Sequence, residues 1–407
     1  MTNITFWGVR ASPYQLKMQA LADYVGVPWQ RVPDQANSTR ALVLLIRLRL
    51  ARIRGAVNRF PQYVPGLDEY PEVPYYSLDG KQFYYDSTGL ALHLDSLLAS
   101  AHPLLPAEQS TRFLCRLIDD AFDEFGLYMV HHNRWITSAQ TNVMATLTTK
   151  EMQPITPPFM RERMKSNLSR RQVRRCPYLF SVAPAGYSCN MPAELTPPSR
   201  SGFPATHELL DRAWRDYLAA MEHILEQQPY LLGERFTLAD ASAYGQLGMN
   251  LVDGRAADIM EDVAPHTFQW LHMIDSGEHR ESKGKLIAGD TLAPLLKLIA
   301  KTYVPLMQQN EVAYENAVGR GQRLFNEAAF DRGEALYEGS LMGLPFRSVA
   351  KSFQVSSWRE LCEQWQALAD SARDQINTEF PFLDNPVFTG TSTRHKARAI
   401  KDQAALD

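Results

Sequence analysis

Trp7 to Gly26 reads WGVRASPYQLKMQALADYVG, and Val73 to Leu94 reads VPYYSLDGKQFYYDSTGLALHL. The first stretch ends a strand that starts near Ile4 and opens a helix at Ser12-Pro13. Serine is a natural N-cap, and proline suits the first helical position. Leu16, Ala20, Leu21 and Val25 fall on one face, and Gly26 stops the helix. Val27 to Val32 follows as a second strand. Strand, helix and strand in so short a span make a βαβ unit, so these two strands should be parallel. In the second stretch, Tyr75–Asp79 and Phe83–Tyr85 read as a hairpin across Asp79-Gly80, and Asp86 starts a helix that runs to Leu98. Arg40 to Arg59 reads as a helix between the two stretches, with Arg40, Arg47, Arg52, Arg54 and Arg59 around a Leu/Ile/Val stripe. Its plainest role is to pack on the sheet, and a membrane-surface or partner-binding helix is the alternative. The order βαβ-α-ββα defines a compact α/β domain over residues 1–100.

The chain of 407 residues has room for further domains. Hydrophobic residues make up 45% and charged residues 21%, as in a soluble globular protein, and the net charge of −3 leaves no nucleic-acid footprint. Cys115, Cys176, Cys189 and Cys362 are scattered with no C-x-x-C pair. That spacing argues against a disulfide framework or structural zinc and suits a reducing cytoplasm. The first residues, MTNITFWGV, do not read as a signal peptide. The longest apolar run, Ala41 to Leu50, is broken by Arg47 and Arg49, so no stable membrane insertion is expected.

After His102-Pro103 the pattern turns helical. Thr111 to Trp135 reads as one long amphipathic helix. Residues 139–203, rich in Pro, Arg and Met, read as a long, partly mobile insertion with short helices. Helices resume at Thr206–Gln227, Leu238–Leu251 and Pro265–Ile274. Thr291–Val318, Glu327–Glu338 and Val355–Ala372 are also helical in pattern, with an ordered loop around Leu336–Ser348. Everything beyond about residue 100 is therefore expected to be all-α: a helical domain over 105–290, a helical extension over 291–388 and a disordered tail over 389–407.

Three local features carry chemistry. A helix N-terminus offers free backbone N–H groups and a positive dipole end, and a thiol placed there shifts toward thiolate. A serine hydroxyl at Ser12 can donate a hydrogen bond to such a sulfur, although its plainest role is capping. Val73-Pro74 stands at a strand start, where proline belongs. A cis bond there leaves the Val73 backbone free to pair with a peptide ligand. Asp86-Ser87-Thr88 opens a helix whose N–H groups and hydroxyls suit a carboxylate, while the Asp86 carboxylate suits an ammonium.

Taken in order, these features resemble the glutathione transferase superfamily, and the S-P-Y-x-x-K run of Ser12 to Lys17 resembles its serine-type motif. Phe236 to Ser242, FTLADAS, resembles the family's F-[ST]-x-A-D run, with a T-x-x-D capping box. Pro265 to Leu271, PHTFQWL, resembles its P-x-x-x-x-W element. The resemblance spans residues 3–275 apart from the insertion. It implies a thioredoxin-like N-terminal domain followed by an all-α transferase domain. It also implies a thiolate stabilised by Ser12, a cysteinyl backbone paired with Val73 beside cis-Pro74, and a γ-glutamyl end held by Asp86 and Ser87. Thr237 and Asp240 would be structural. Family members are commonly homodimers.

The resemblance further implies that the long helix lines the pocket of an electrophilic small molecule. Tyr14, Tyr128, His131, His132 and Trp135 are then candidate contacts, with Arg347 reaching in from the extension. Asp119, Asp120, Asp123 and Glu124 lie on the same helix. They read as a solvated acidic face, since i,i+4 metal pairs such as H-E-x-x-H are missing. The expectation is thus a cytoplasmic glutathione transferase, with glutathione as co-substrate and no metal, acting in conjugation, thioether cleavage, isomerisation or dehalogenation within detoxification. The alternative is a non-catalytic scaffold or membrane-proximal adaptor.

Overall fold

The computed structural model describes residues 3–59, 74–97, 103–383 and 388. β1 (Ile4–Trp7), α1 (Pro13–Val25) and β2 (Trp29–Val32) form the expected βαβ unit, with β1 and β2 parallel. α2 (Ser38–Ile53) follows. It ends six residues short of the expected helix, and β3 (Val57–Arg59) takes up the remainder. Gly55, at φ 63°, makes the break. β4 (Tyr75–Ser77) and β5 (Phe83–Tyr85) are the antiparallel pair, and α3 (Ser87–Leu97) closes the unit. The sheet order is β2-β1-β4-β5-β3, with β4 antiparallel to β1 and β3 parallel to β5. This is the thioredoxin-like arrangement with one added edge strand.

α2 buries Ala41, Leu44 and Leu48. Its other face leaves Leu42, Ile46, Leu50 and Ile53 exposed. The helix therefore packs on the sheet by one stripe and presents a second apolar stripe outward. The Val73–Pro74 bond and the tail over 389–407 lie outside the described residues. The cis X-Pro bond found among the described residues is Val32–Pro33.

The helical part starts with α4 (Gln109–Ala121) and α5 (Leu127–His132). Wide π turns at Phe122–Gly126 and Asn133–Thr137 interrupt this run without ending it. Such turns place an extra residue in the helix and are frequent at functional sites. α6 (Met144–Glu151) and α7 (Arg161–Arg174) occupy the insertion. α8 (His207–Leu225), α9 (Leu238–Leu247), α10 (Gly254–Val263) and α11 (Pro265–Asp275) complete the expected bundle. α9 starts with the capping box predicted from T-x-x-D: Thr237 N donates to Asp240 Oδ2 at 2.9 Å, and Leu231 N donates to Asp240 Oδ1 at 2.8 Å.

The extension holds α12 (Ala293–Lys301), α13 (Tyr303–Gly319), α14 (Glu327–Arg332), α15 (Ser352–Ala367) and α16 (Asp370–Glu379). It is not wholly helical. β6 (Leu336–Leu341) and β7 (Leu344–Val349) form an antiparallel hairpin where a loop was expected. The two-residue turn Met342-Gly343 has φ values of 51° and 78°, the left-handed pair that a tight hairpin demands. Gly343 supplies one of them freely, and Pro345 is tolerated because a two-stranded ribbon is all edge.

One continuous apolar core joins the inner face of the sheet unit, the bundle and the extension. Phe113 of α4 meets Trp365 of α15 at a centroid distance of 5.0 Å, so the extension seals the bundle. Gly245 of α9 faces α1 so closely that a Cβ there would stand 2.7 Å from the Pro13 carbonyl oxygen. The missing side chain lets the helical part press against the helix that carries Ser12.

Candidate active site

Ser12 precedes α1 in an extended conformation, φ −98° and ψ 125°, yet its side chain makes no capping hydrogen bond. Pro13 already removes one of the N–H groups that a cap would satisfy. The residue is buried and borders a cavity of about 910 Å³. The same cavity takes in Tyr14, Pro74, Asp86, Ser87, Tyr128, His131 and Trp135. Residues from both ends of the sheet unit and from the long helix thus share one space.

Asp86 holds a left-handed backbone, φ 82°, which is uncommon for a residue other than glycine. Its Oδ1 accepts from Thr88 N at 3.0 Å and Gly89 N at 3.3 Å, capping α3. Ser87 beside it is buried in the cavity wall. Strained backbone of this kind concentrates at ligand sites.

Two expected contacts stand elsewhere. His132 points away from the cavity and stacks on His207 of α8, with ring centroids 5.1 Å apart. Arg347 of β7 donates from Nη1 to the Gly202 carbonyl at 3.1 Å, and its guanidinium lies over the Phe203 ring at 5.3 Å. It closes the hairpin onto the loop before α8 and does not border the cavity.

The expected solvated acidic face is also corrected. Asp119, Asp120, Asp123 and Glu124 are all buried, because α4 is packed on every side. Lys17 of α1 runs into this cluster fully buried. Its three ammonium protons go to Asp119 Oδ1 at 2.6 Å, Asp123 Oδ2 at 2.6 Å and Thr88 Oγ1 at 2.9 Å. Arg116 and Ser242 also bond to Asp119. Five side chains from α1, α3, α4 and α9, together with Asp123 from the first π turn, form one network beneath the cavity.

Burial works against every charge in it, and the partners decide the outcome. The carboxylates raise the Lys17 pKa despite its burial, so the ammonium stays charged. Burial opposes the Asp119 charge, but Lys17 and Arg116 hold its pKa below the usual carboxylate range. Asp123 shares Lys17 with an ionised neighbour, and burial pushes it up to about 7. Its Oδ1 is buried with no hydrogen-bond partner, and the residue borders the cavity. Burial likewise lifts Asp120 to about 6 and drives the His131 imidazole down to about 3, so that His131 faces the cavity neutral.

In the sequence, Thr88 reads as part of a helix start, Asp119 and Asp123 as a solvated face, and Lys17 only as the last residue of the S-P-Y-x-x-K run. A signal existed in the i,i+4 spacing of Asp119 and Asp123, which sets both carboxylates on one side of the helix, where a single cation can meet them.

Residues 200–272 match the family model described as the C-terminal domain of glutathione S-transferase. Over these residues the chain is similar to that domain. The matched stretch takes in α8 to α10 and most of α11, and it supplies Ser242 to the buried network.

Solved structures align at low identity. Beta-etherase LigF from Sphingobium sp. strain SYK-6 is 16% identical, with 73% of this chain and 99% of that one covered and a TM-score of 0.39. Glutathione transferase GSTFuA3 from Phanerochaete chrysosporium is 14% identical, with 70% and 99% covered and a TM-score of 0.41. The transferase CsGST63524 of Ceriporiopsis subvermispora, solved in complex with glutathione, is 15% identical, with 68% and 97% covered and a TM-score of 0.38. No curated protein sequence matches this one.

Proposed function

We propose that the chain is a glutathione transferase that activates the glutathione thiol for attack on an electrophilic small molecule. The observation that carries this reading is Ser12 at the head of α1, a buried residue whose side chain makes no capping hydrogen bond, in one cavity with Pro74, Asp86 and Ser87. In this reading Ser12 donates a hydrogen bond to the glutathione sulfur. The N-terminus of α1 adds the positive end of its dipole, and both lower the thiol pKa. Asp86 and Ser87 hold the γ-glutamyl end, and Val73 pairs with the cysteinyl backbone. Tyr14, Tyr128, His131 and Trp135 border the space left for the electrophile, so that binding brings sulfur and carbon together.

The test is the ultraviolet absorbance of bound glutathione thiolate, followed against pH. The wild-type protein should show thiolate near neutral pH, and Ser12→Ala should move its appearance to higher pH. A titration unchanged by Ser12→Ala removes Ser12 from this role.

The same reading sets the protein in the cytoplasm and in detoxification, as a homodimer. Four free cysteines, three of them buried, support a reducing compartment. Light scattering that returned the mass of one chain would remove the homodimer.

A second reading rests on α2. The exposed Leu42, Ile46, Leu50 and Ile53 stand on a helix that also carries Arg40, Arg47, Arg49 and Arg52, with Arg54 at its C-cap. That composition suits a scaffold or an adaptor lying on an anionic membrane surface. No described helix is long and apolar enough to cross a membrane. Co-sedimentation with anionic liposomes decides it: no binding sinks the adaptor.

A further inference from the structure

Ser12 makes no capping hydrogen bond, so its hydroxyl takes its direction from the backbone on either side. On the C-terminal side that backbone is helix. Ser12 O accepts from Gln15 N at 3.0 Å and from Leu16 N at 3.2 Å, in the first turn of α1. On the N-terminal side, Gly8 to Ala11 is neither strand nor helix. The peptide unit between Ala11 and Ser12 is nevertheless held at both ends. Its N–H, on Ser12, donates to Val9 O at 3.0 Å. Its carbonyl, on Ala11, accepts from Arg134 Nη1 at 3.1 Å.

Arg134 comes from the second π turn of the long helix and is itself fixed. Its Nε donates to both carboxylate oxygens of the buried Asp253, at 3.0 and 2.8 Å, and its Nη2 donates to Met249 O at 2.9 Å. A planar guanidinium with two nitrogens committed presents the third at a set position. One residue before Ala11, Arg10 N donates to Glu151 Oε2 at 2.9 Å, at the end of α6. Hydrogen bonds to charged groups are about twice as strong as neutral ones. Two charged side chains thus pin the loop before Ser12, one from a π turn and one from the insertion. Neither lies in the matched stretch 200–272.

We infer that Arg134 and Glu151 are positioning residues for Ser12: by holding the Ala11 carbonyl and the Arg10 amide, they fix the direction from which the Ser12 hydroxyl meets the glutathione sulfur. This inference rests on the transferase reading and adds the part that the long helix and the insertion play in it. With one peptide unit locked before Ser12 and the helix locking the next, only the side-chain torsion of Ser12 is left to turn. Loss of either pin lets the first unit tilt. A hydrogen bond weakens steeply as it bends, so a tilt takes away part of the thiolate's stabilisation.

The probe is glutathione, with the absorbance of its bound thiolate followed against pH on the full chain. Arg134→Lys keeps a cation beside Asp253 but lacks the outer nitrogens that reach Ala11 and Met249. Its thiolate midpoint should rise by about half a pH unit to one unit. Glu151→Ala should move the midpoint the same way and serves if Arg134→Lys does not fold. Glu151→Gln, whose amide oxygen can still accept from Arg10 N, should restore it. In a Ser12→Ala background, Arg134→Lys should leave the midpoint where Ser12→Ala alone puts it, because both act through one hydroxyl. A midpoint unmoved in the variants that fold, or an equal shift with and without the Ser12 hydroxyl, overturns the inference. Amide exchange of Ser12 in the chain without glutathione tells the two readings apart, and it should be faster in both pin variants. Absence of any thiolate in the wild type sinks the transferase reading, while faster exchange still supports the pinning of Ser12. Unchanged exchange overturns the pinning whether or not glutathione binds.

Discussion

The Lys17 ammonium and the Asp123 carboxylate meet at 2.6 Å, with the lysine fully buried and the aspartate nearly so. One sits on the helix that Ser12 heads, the other on the long helix of the bundle. Their contact, shared with Asp119, welds the sheet unit to the helical part directly beneath the cavity. A buried pair of this kind is costly to break from one side, because the partner's charge is left uncompensated.

Lys17→Met should therefore destabilise the protein by about 3–5 kcal/mol. Two carboxylates would then face each other with Arg116 as their cationic partner. Denaturant unfolding measures this as a lower midpoint. A loss below about 1 kcal/mol, typical of an exposed pair, would show that the network is solvated.

The Asp123 network also sets a pH dependence. The folded pKa of about 7 lies above the ordinary 3.8, so the folded state holds a proton that the unfolded chain has released. The stability this group contributes is full below about pH 4 and is lost as pH rises toward 7. Asp123→Asn should remove that component. The difference in unfolding free energy between wild type and Asp123→Asn, followed across this range, should change in the wild type's disfavour as pH rises. A difference independent of pH would mean that Asp123 titrates normally.

The histidines act in the opposite sense. Burial lowers His131 and His132 to about 3 and His207 to about 4, from an ordinary 6.5. Their contribution is full above pH 6.5 and is lost as pH falls. His132→Leu, which keeps the site apolar, should make the protein less sensitive to acid between pH 6 and pH 4. Thermal unfolding at those two pH values checks it, and an unchanged acid sensitivity would place the effect elsewhere.

Gly245→Val should loosen the contact of α9 with α1. Its Cβ would meet the Pro13 carbonyl oxygen at 2.7 Å and Lys17 Cβ at 2.9 Å. A backbone oxygen cannot swing aside, so the helices must separate, at about 1–3 kcal/mol. Faster amide exchange in α1, with the C-terminal extension unaffected, is the expected signature.

The βαβ unit and the capping box of α9 were legible because each depends on local chemistry: Ser-Pro entry, Gly26 exit, and Thr237 three residues before Asp240. The acidic residues of α4 were misread for a physical reason. A run of Asp and Glu looks solvated until the other faces of the helix are known to be covered, and the covering elements come from distant sequence. Lys17 carried a visible clue in its motif but no hint of its partners. The β6–β7 hairpin carried none, since its Met342-Gly343 turn lacks the usual Asn-Gly or Asp-Gly signature. His132 and His131 are adjacent in sequence and face opposite ways, which only the packing of α8 decides.

The central claim is that the cavity between Ser12 and Asp86-Ser87 holds glutathione. Calorimetric titration of glutathione into the wild-type protein and into Ser87→Ala tests it most directly. The account predicts saturable binding to the wild type, weakened about tenfold or more in Ser87→Ala by the loss of a hydrogen bond to a charged group. No heat of binding to the wild type, or equal affinities in the two proteins, would contradict it.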